Sequence, residues 1–206
     1  MDFIKSIQTA INKVINKDNT DFTNGIKEIN RLFFNLKQER HIRDLLVSLL
    51  DKELSNNNYL VISEYPRGKY GQAVDLSIIT KNNDDNFLIE IKYQYPGDFK
   101  NKMNIEKIKN DIVKRKNAKY NKIKLFILII QDWQDEKKQF EKYIVPWKLN
   151  INIDKYQKIN SYDDKIETKI KNYGKSSDPV KVEFLVDKPW KTKYTFLLFY
   201  CGNGTE

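Results

Sequence analysis

The feature that most constrains this chain is a pair of apolar segments, between residues 71 and 95, that have charged residues inside them. Val74–Thr80 and Phe87–Tyr93 are rich in β-branched and aromatic residues, and a polar turn of Asn and Asp separates them. This pattern predicts a β-hairpin. A hairpin of this kind must hold its charged side chains beside the core, so their arrangement bears on function.

The register of the predicted hairpin brings two carboxylates together. If the hairpin folds symmetrically about Asn82 and Asn83, Asp75 lies directly across from Glu90, with Cβ atoms about 5 Å apart. Lys92 shares the face of Glu90 because side chains alternate along a strand. Two carboxylates this close repel each other unless a proton or a cation lies between them, and a hard divalent metal compensates them better than a lysine does. The hairpin therefore predicts a metal site.

Length and composition indicate a basic globular protein. The chain has 206 residues, of which 40% are hydrophobic and 32% charged, enough for one domain with a sizeable core. Its formal net charge is +9, mostly from scattered lysines. Such a balance suits a polyanionic partner, and a Lys- and Asn-rich genome would produce the same balance without that function.

Cysteine and histidine are too scarce for several kinds of site. Cys201 is the single cysteine, which excludes an internal disulfide and a zinc finger. His41 is the single histidine, which argues against Ser/His/Asp or Cys/His catalysis. The sequence has neither an apolar run of roughly 18 residues nor a signal-peptide core, so we expect a cytoplasmic protein without membrane contact.

Helical periodicity predicts three helices before the hairpin and one after it. The first two cover residues 2–17 and 21–36, and they could pack on the core or on a second subunit. The third, Lys37–Leu54, has the broadest apolar stripe, and Glu39 lies at its edge. Either the helix dipole explains this glutamate, or its carboxylate is aimed at the sheet. The fourth helix covers about Lys102–Lys116.

Two further strands complete the predicted sheet. Tyr59–Tyr65 precedes the hairpin, and Asn121–Ile130 is a nearly continuous apolar run, typical of a strand that is covered on both faces. The order helix, strand, strand, strand, helix, strand predicts an α/β (α+β) fold with a mixed sheet. Three strands would meander, and a crossover helix would deliver the fourth parallel to a neighbour.

The last third of the chain is less regular. A short helix is predicted at Lys137–Pro146, weak strand alternation at Leu149–Tyr156 and a long polar loop over residues 157–179. Val180–Val186 alternates cleanly and Tyr194–Tyr200 is apolar, which predicts a C-terminal β-hairpin.

This order of elements, with an Asp on the second strand and Glu-x-Lys on the third, resembles the PD-(D/E)xK nuclease superfamily. The motif would be Val74-Asp75, fourteen further residues, and Glu90-Ile91-Lys92. Val74 stands where the family name has proline, a residue that is not a ligand. Glu-x-Lys occurs three times in the chain, and only this copy lies in a strongly apolar strand that follows an Asp-bearing one.

The resemblance implies a restriction-endonuclease-like core over residues 37–130. The helices of residues 1–36 would flank it, packed on the core or at a dimer interface. Residues 131–206 would form a C-terminal extension, with its hairpin, in the same globular unit.

The resemblance also implies roles for single residues. Asp75 and Glu90 would bind Mg²⁺, for which Mn²⁺ could substitute, together with the backbone carbonyl of Ile91. The metal would lower the pKa of a bound water, and Lys92 would orient that water or stabilise the transition state. Glu39 would be a second-metal or water-mediated ligand.

Other residues are candidates of lower rank. Glu64 competes with Glu39 for the auxiliary-ligand role, and Gln94 continues the face of Glu90 and Lys92. Candidate nucleic-acid contacts are four basic residues: Arg40, Arg43, Arg67 and Lys69.

The leading hypothesis is a Mg²⁺-dependent DNA endonuclease, such as a type II restriction enzyme or a related defence or mobile-element nuclease. Cutting both strands of a duplex usually needs two active sites, so we expect a homodimer. A junction resolvase or a repair nuclease is the alternative among enzymes, and an RNA substrate stays open. From other classes, the chain could be a non-catalytic nucleic-acid-binding or regulatory protein with this fold, or a protein-interaction module.

Overall fold

The computed structural model describes residues 3–33, 37–65, 74–82, 86–100, 102–116, 123–134, 168, 170–172, 178–188 and 190–201. In chain order, the helices and strands are α1 (Phe3–Val14), α2 (Thr20–Phe33), α3 (Glu39–Leu54), β1 (Tyr59–Tyr65), β2 (Val74–Thr80), β3 (Asn86–Gln94), α4 (Lys102–Lys116), β4 (Ile123–Trp133), β5 (Val180–Val186) and β6 (Thr192–Tyr200). In these ranges, no helix has the length and apolar character that crossing a membrane requires.

The strands form one mixed, mostly antiparallel sheet in the order β1-β2-β3-β4-β6-β5. β3 and β4 are the parallel pair, and α4 provides the crossover that such a pair requires. The remaining neighbours are antiparallel. The predicted order of elements, the parallel fourth strand and the C-terminal hairpin are therefore confirmed, and the fold class is mixed α+β.

Apolar side chains cover both faces of the sheet. One face packs against α1, α2 and α3, and the other packs against α4, where Ile108 and Ile112 are buried. The aromatic ring of Phe22 in α2 lies 5.2 Å from Phe184 and 5.4 Å from Phe196 (centroid distances), edge to face. Burying each such side chain stabilises the fold by about 1.5–3 kcal/mol. Because β4 lies between the two layers, it is apolar on both faces, as its sequence predicts.

The end of β4 differs from the prediction. The strand runs on to Trp133, past the predicted end at Ile130. Gln131 is polar and so suggested a strand end, but it is fully buried and hydrogen-bonded inside the fold.

The predicted loop over residues 157–179 is wrong at one point. Thr168 and residues 170–172 are helical, and Ile170 is buried in the cluster on the α4 face of the sheet. Five apolar residues of this stretch recur at intervals of three or four, a helical spacing that the loop prediction overlooked: Ile159, Tyr162, Ile166, Ile170 and Tyr173. The helix predicted at Lys137–Pro146 and the strand predicted at Leu149–Tyr156 lie outside the described residues.

Candidate carboxylate–lysine site

The predicted register of the central hairpin is confirmed. Leu76 pairs with Ile89 and Ile79 pairs with Asn86, as expected for the symmetric hairpin. Continued by one residue, this register sets Asp75 opposite Glu90.

The site begins where β2 and β3 separate. The antiparallel register between these strands ends at Leu76 and Ile89. Beyond that point, Asp75 Oδ2 accepts a hydrogen bond of 2.8 Å from the backbone N–H of Ile91. The side chain of Asp75 therefore replaces the backbone of β2 as the partner of β3.

A second carboxylate reaches the same edge of β3 from α3. Glu39 Oε2 accepts a hydrogen bond of 3.0 Å from the backbone N–H of Tyr93. The N–H groups of Ile91 and Tyr93 point to the same edge because alternate residues of a strand have the same orientation. Asp75 and Glu39 thus accept hydrogen bonds from the two neighbouring N–H groups on the β2 side of β3. The glutamate in the first turn of α3 is directed at the sheet.

The backbone carbonyl of Ile91 faces the same gap. In an antiparallel ladder, the N–H and C=O groups of one residue point to the same neighbouring strand. Since the Ile91 N–H bonds to Asp75, the Ile91 oxygen is directed to the β2 side of β3.

The side chains of Glu90 and Lys92 lie on the α4 face of the sheet. Lys92 Nζ is 3.1 Å from Glu90 Oε1 and 3.4 Å from Asp111 Oδ2, a residue of α4. Glu90 is only 2% exposed. An ionised carboxylate at this depth requires a compensating charge, and Lys92 provides it.

Four carboxylates act on the ammonium group of Lys92. Burial disfavours the charged form, but attraction by Glu90, Asp111, Glu39 and Asp75 outweighs burial and raises the pKa of Lys92. Lys92 is therefore a cation at neutral pH, when it can donate hydrogen bonds but cannot accept a proton. A cation bound among these carboxylates would relieve their mutual repulsion.

Glu39 is held where its ionised form is disfavoured. Burial raises the pKa of its carboxyl group, and repulsion by Asp75 adds to the rise. The lysines at 92 and 37 and the N–H of Tyr93 lower the pKa without cancelling the effect of burial. A cation beside Glu39 would favour the ionised form.

The donor set suits a hard divalent cation. Mg²⁺ prefers oxygen ligands and often takes only one or two carboxylates, with water completing its shell. Asp75 and the carbonyl of Ile91 offer such oxygens at the strand separation, and Glu90 offers another on the α4 face of the sheet. Within the described part of the chain, no three Asp, Glu, His or Cys side chains are grouped closely enough to hold a metal ion.

Glu64 bonds to α3. It lies across from Asp75 in the β1–β2 register, but its backbone is left-handed, with φ 54°. Its carboxylate accepts a hydrogen bond of 2.9 Å from Arg43 Nη1. The structure therefore places Glu39, not Glu64, against the edge of β3.

The other candidates of lower rank are dispersed. Arg43 is only 12% exposed and already paired with Glu64, whereas the side chain of Arg40 is 80% exposed. Gln94 is half-buried on β3, opposite Ile130 of β4. Arg67 and Lys69 lie outside the described residues.

Sequence reasoning missed Asp111. This residue lies between Ile108 and Ile112, at the edge of the buried stripe of α4. The same kind of position drew attention to Glu39 on α3. A search for carboxylates at the edges of apolar helix stripes would have found both.

Sequence reasoning also missed a buried polar network behind Tyr93. The Tyr93 hydroxyl group hydrogen-bonds to Gln131 Oε1, and Gln131 Nε2 donates to the Tyr194 hydroxyl oxygen at 3.1 Å. That hydroxyl group lies 2.7 Å from both Asn30 Oδ1 and Gln38 Oε1, and donates its hydrogen to one at a time. All five side chains are fully buried. Because Gln38 immediately precedes α3, the network fixes the start of α3 against the sheet.

Comparisons with known proteins identify no relative: no protein-family model matches the chain, and neither curated proteins nor solved structures match it.

Proposed function

We propose that the protein is a Mg²⁺-dependent DNA endonuclease with a restriction-endonuclease-like core, of the type II restriction or related defence or mobile-element kind. One observation carries this proposal. Asp75 of β2 and Glu39 of α3 accept hydrogen bonds from two N–H groups on the same side of β3, the strand that contains Glu90-Ile91-Lys92. The backbone amides on either side of Lys92 therefore each face a carboxylate, which supports a site gathered around Glu90-Ile91-Lys92.

The proposed mechanism assigns a separate task to each side chain. Asp75 and Glu90 would hold Mg²⁺ together with the oxygen of Ile91, and Glu39 would act as an auxiliary ligand through water. When bound, Mg²⁺ supplies a nucleophilic water at neutral pH and neutralises charge on the scissile phosphate. Lys92 is protonated, so it donates hydrogen bonds to the attacking water or to the developing charge on phosphorus oxygens. It does not act as the general base.

The charge of the whole chain supports a nucleic-acid substrate. A net charge of +9 favours binding to a phosphate backbone through counterion release. Cleavage of both strands would engage two copies of the site, so the active form is proposed to be a homodimer.

A second candidate is a non-catalytic nucleic-acid-binding protein with the same fold. The 3.1 Å ion pair between Lys92 and Glu90 favours this alternative. If that ion pair were permanent, the ammonium group of Lys92 would neutralise the carboxylate of Glu90, which a metal ion would need as a ligand.

Cleavage of a substrate panel tests the proposal. Wild-type protein would be incubated with Mg²⁺ and mixed-sequence duplex DNA, a branched DNA junction or RNA, beside Asp75→Asn. Asp51→Asn, an exposed change on α3, is the matched control. We expect discrete duplex fragments from the wild type and the control only, abolished by chelation.

Other outcomes of the panel would redirect the proposal. Cleavage of the junction alone would indicate a resolvase, and cleavage of RNA alone would make DNA the wrong substrate. If the wild type cleaves nothing while its salt-sensitive binding equals that of Asp75→Asn, the binding-protein alternative replaces the nuclease.

A further inference from the structure

One carboxylate beside the site comes from an element outside the motif strands. Asp111 Oδ2 of α4 is 3.4 Å from Lys92 Nζ. Ile108 and Ile112, buried on the same helix, anchor this turn of α4 on the sheet. The position of Asp111 is therefore set by the apolar cluster on this face of the sheet, to which β2 and β3 contribute Val74 and Leu88.

We propose that Asp111 is a positioning residue that keeps the ammonium group of Lys92 in place when a divalent cation binds Glu90. The proposal rests on the proposed function. In the metal-free protein Lys92 is shared between Glu90, at 3.1 Å, and Asp111, at 3.4 Å. A cation that takes an oxygen of Glu90 weakens the first contact, and the second then holds the lysine.

Lysine needs such a partner because of its side-chain chemistry. Its ammonium group is a strongly hydrated point charge on a flexible four-carbon stem. It has three N–H donors. With one donor directed to Asp111, another can point to the attacking water or to a phosphate oxygen. Displacing a catalytic group by about 1 Å can reduce a rate by roughly 100-fold.

A purely structural role for Asp111 makes a different prediction. The side chains of Asp111 and Lys92 are both partly exposed, at 40% and 24%. An exposed ion pair typically contributes about 0–1 kcal/mol to stability, and its loss would leave catalysis unchanged. Measurements on Lys92 itself can therefore separate positioning from general stabilisation.

The first test observes the lysine without any nuclease assay. The side-chain ¹⁵N–¹H signal of the Lys92 ammonium group would be recorded in the full-length metal-free protein and with Mg²⁺ added. The variants are Asp111→Asn and Asp111→Glu, and the matched control is Glu106→Gln, which breaks a 3.2 Å ion pair with Lys109 on the same helix. We expect Asp111→Asn to lose the signal with Mg²⁺, and Asp111→Glu and the control to keep it.

The second test measures catalysis and binding separately. We expect Asp111→Asn to cut duplex at a single-turnover rate lower by roughly 10- to 100-fold, with duplex affinity in Ca²⁺ unchanged and with partial rescue by Asp111→Glu. A Lys92 signal that persists in Asp111→Asn with Mg²⁺, or an unchanged cleavage rate, would overturn the proposal. If the variant loses the signal and the wild type cleaves no substrate, Asp111 does hold Lys92, and the nuclease function is what fails.

Discussion

The burial of Glu39 disfavours the ionised form of its carboxyl group. Burial raises the pKa of this carboxyl group above its ordinary value of 4.5. The folded state therefore binds a proton more tightly than the unfolded chain does. The stability that this proton contributes is present below the ordinary pKa and is lost as pH rises through the folded pKa. Ionised Glu39 therefore lowers the free energy of unfolding at neutral pH.

Replacing Glu39 with glutamine removes that cost and keeps an oxygen for the Tyr93 N–H. We expect Glu39→Gln to raise the melting temperature of the metal-free protein by roughly 2–4 °C at pH 7, and by much less near pH 4. Thermal melts at both pH values, with Asp51→Asn as the control, measure this. An equal shift at the two pH values, or a less stable variant at pH 7, would contradict the assignment.

Lys92 and Glu90 are coupled, and the coupling can be measured. Lys92→Met leaves Glu90 buried without its closest cation, so we expect a loss of about 2 kcal/mol in unfolding free energy, less than the roughly 3–5 kcal/mol of a fully buried pair. Adding Glu90→Gln should restore much of that loss, because the uncompensated charge is removed. Urea unfolding of both single variants and the double variant checks this. Strictly additive losses would mean that the two residues do not interact.

At the scale of elements, the buried network determines where α3 meets the sheet. Tyr194 of β6 lies within hydrogen-bond distance of Asn30 of α2 and of Gln38, which precedes α3. Removing its hydroxyl group leaves buried amide groups without that partner. Such groups each cost about 1–3 kcal/mol.

We therefore expect Tyr194→Phe to lower the unfolding free energy by about 1–3 kcal/mol. Tyr200→Phe is the matched control, since its hydroxyl group donates a 2.8 Å hydrogen bond to Asn12 in a more exposed place. That variant should lose under about 1 kcal/mol. Denaturant unfolding compares the two variants. Equal losses of unfolding free energy would show that burial of the network does not increase the contribution of its hydrogen bonds.

The elements also show what a sequence can and cannot predict. The central hairpin and its register were predictable because an apolar pattern of period two fixes which residues face each other. The separation of β2 from β3 at Asp75, just before Leu76, was not predictable, because there a side chain replaces a backbone contact. The buried network joins elements far apart in the chain, and no local pattern reports such contacts, whereas Asp111 lies at a stripe edge that a local search would have found. Glu39 was found because its stripe-edge position is a local signal.

At the scale of the whole molecule, the net charge is the property that bears on which partner the protein can bind. The net charge of +9 comes from residues spread along the chain. We expect duplex binding to weaken by roughly tenfold or more between about 50 and 200 mM salt, as counterion release requires. The same salt slope should appear in Asp75→Asn, because that residue is assigned to chemistry and not to phosphate contacts. Fluorescence anisotropy measures both, and salt-independent binding would exclude a phosphate-dominated interface.

Site-resolved binding of Mn²⁺ to the metal-free protein tests the central claim most directly, because it requires neither a substrate nor turnover. Mn²⁺ broadens the NMR signals of nuclei close to it, so a titration at low occupancy reports where the ion sits. We predict that the backbone amide signals of Ile91 and Tyr93 lose intensity first, and that Asp75→Asn abolishes the effect while Asp51→Asn preserves it. Broadening that begins at exposed carboxylates elsewhere, or that is unchanged in Asp75→Asn, would contradict a metal site between β2 and β3.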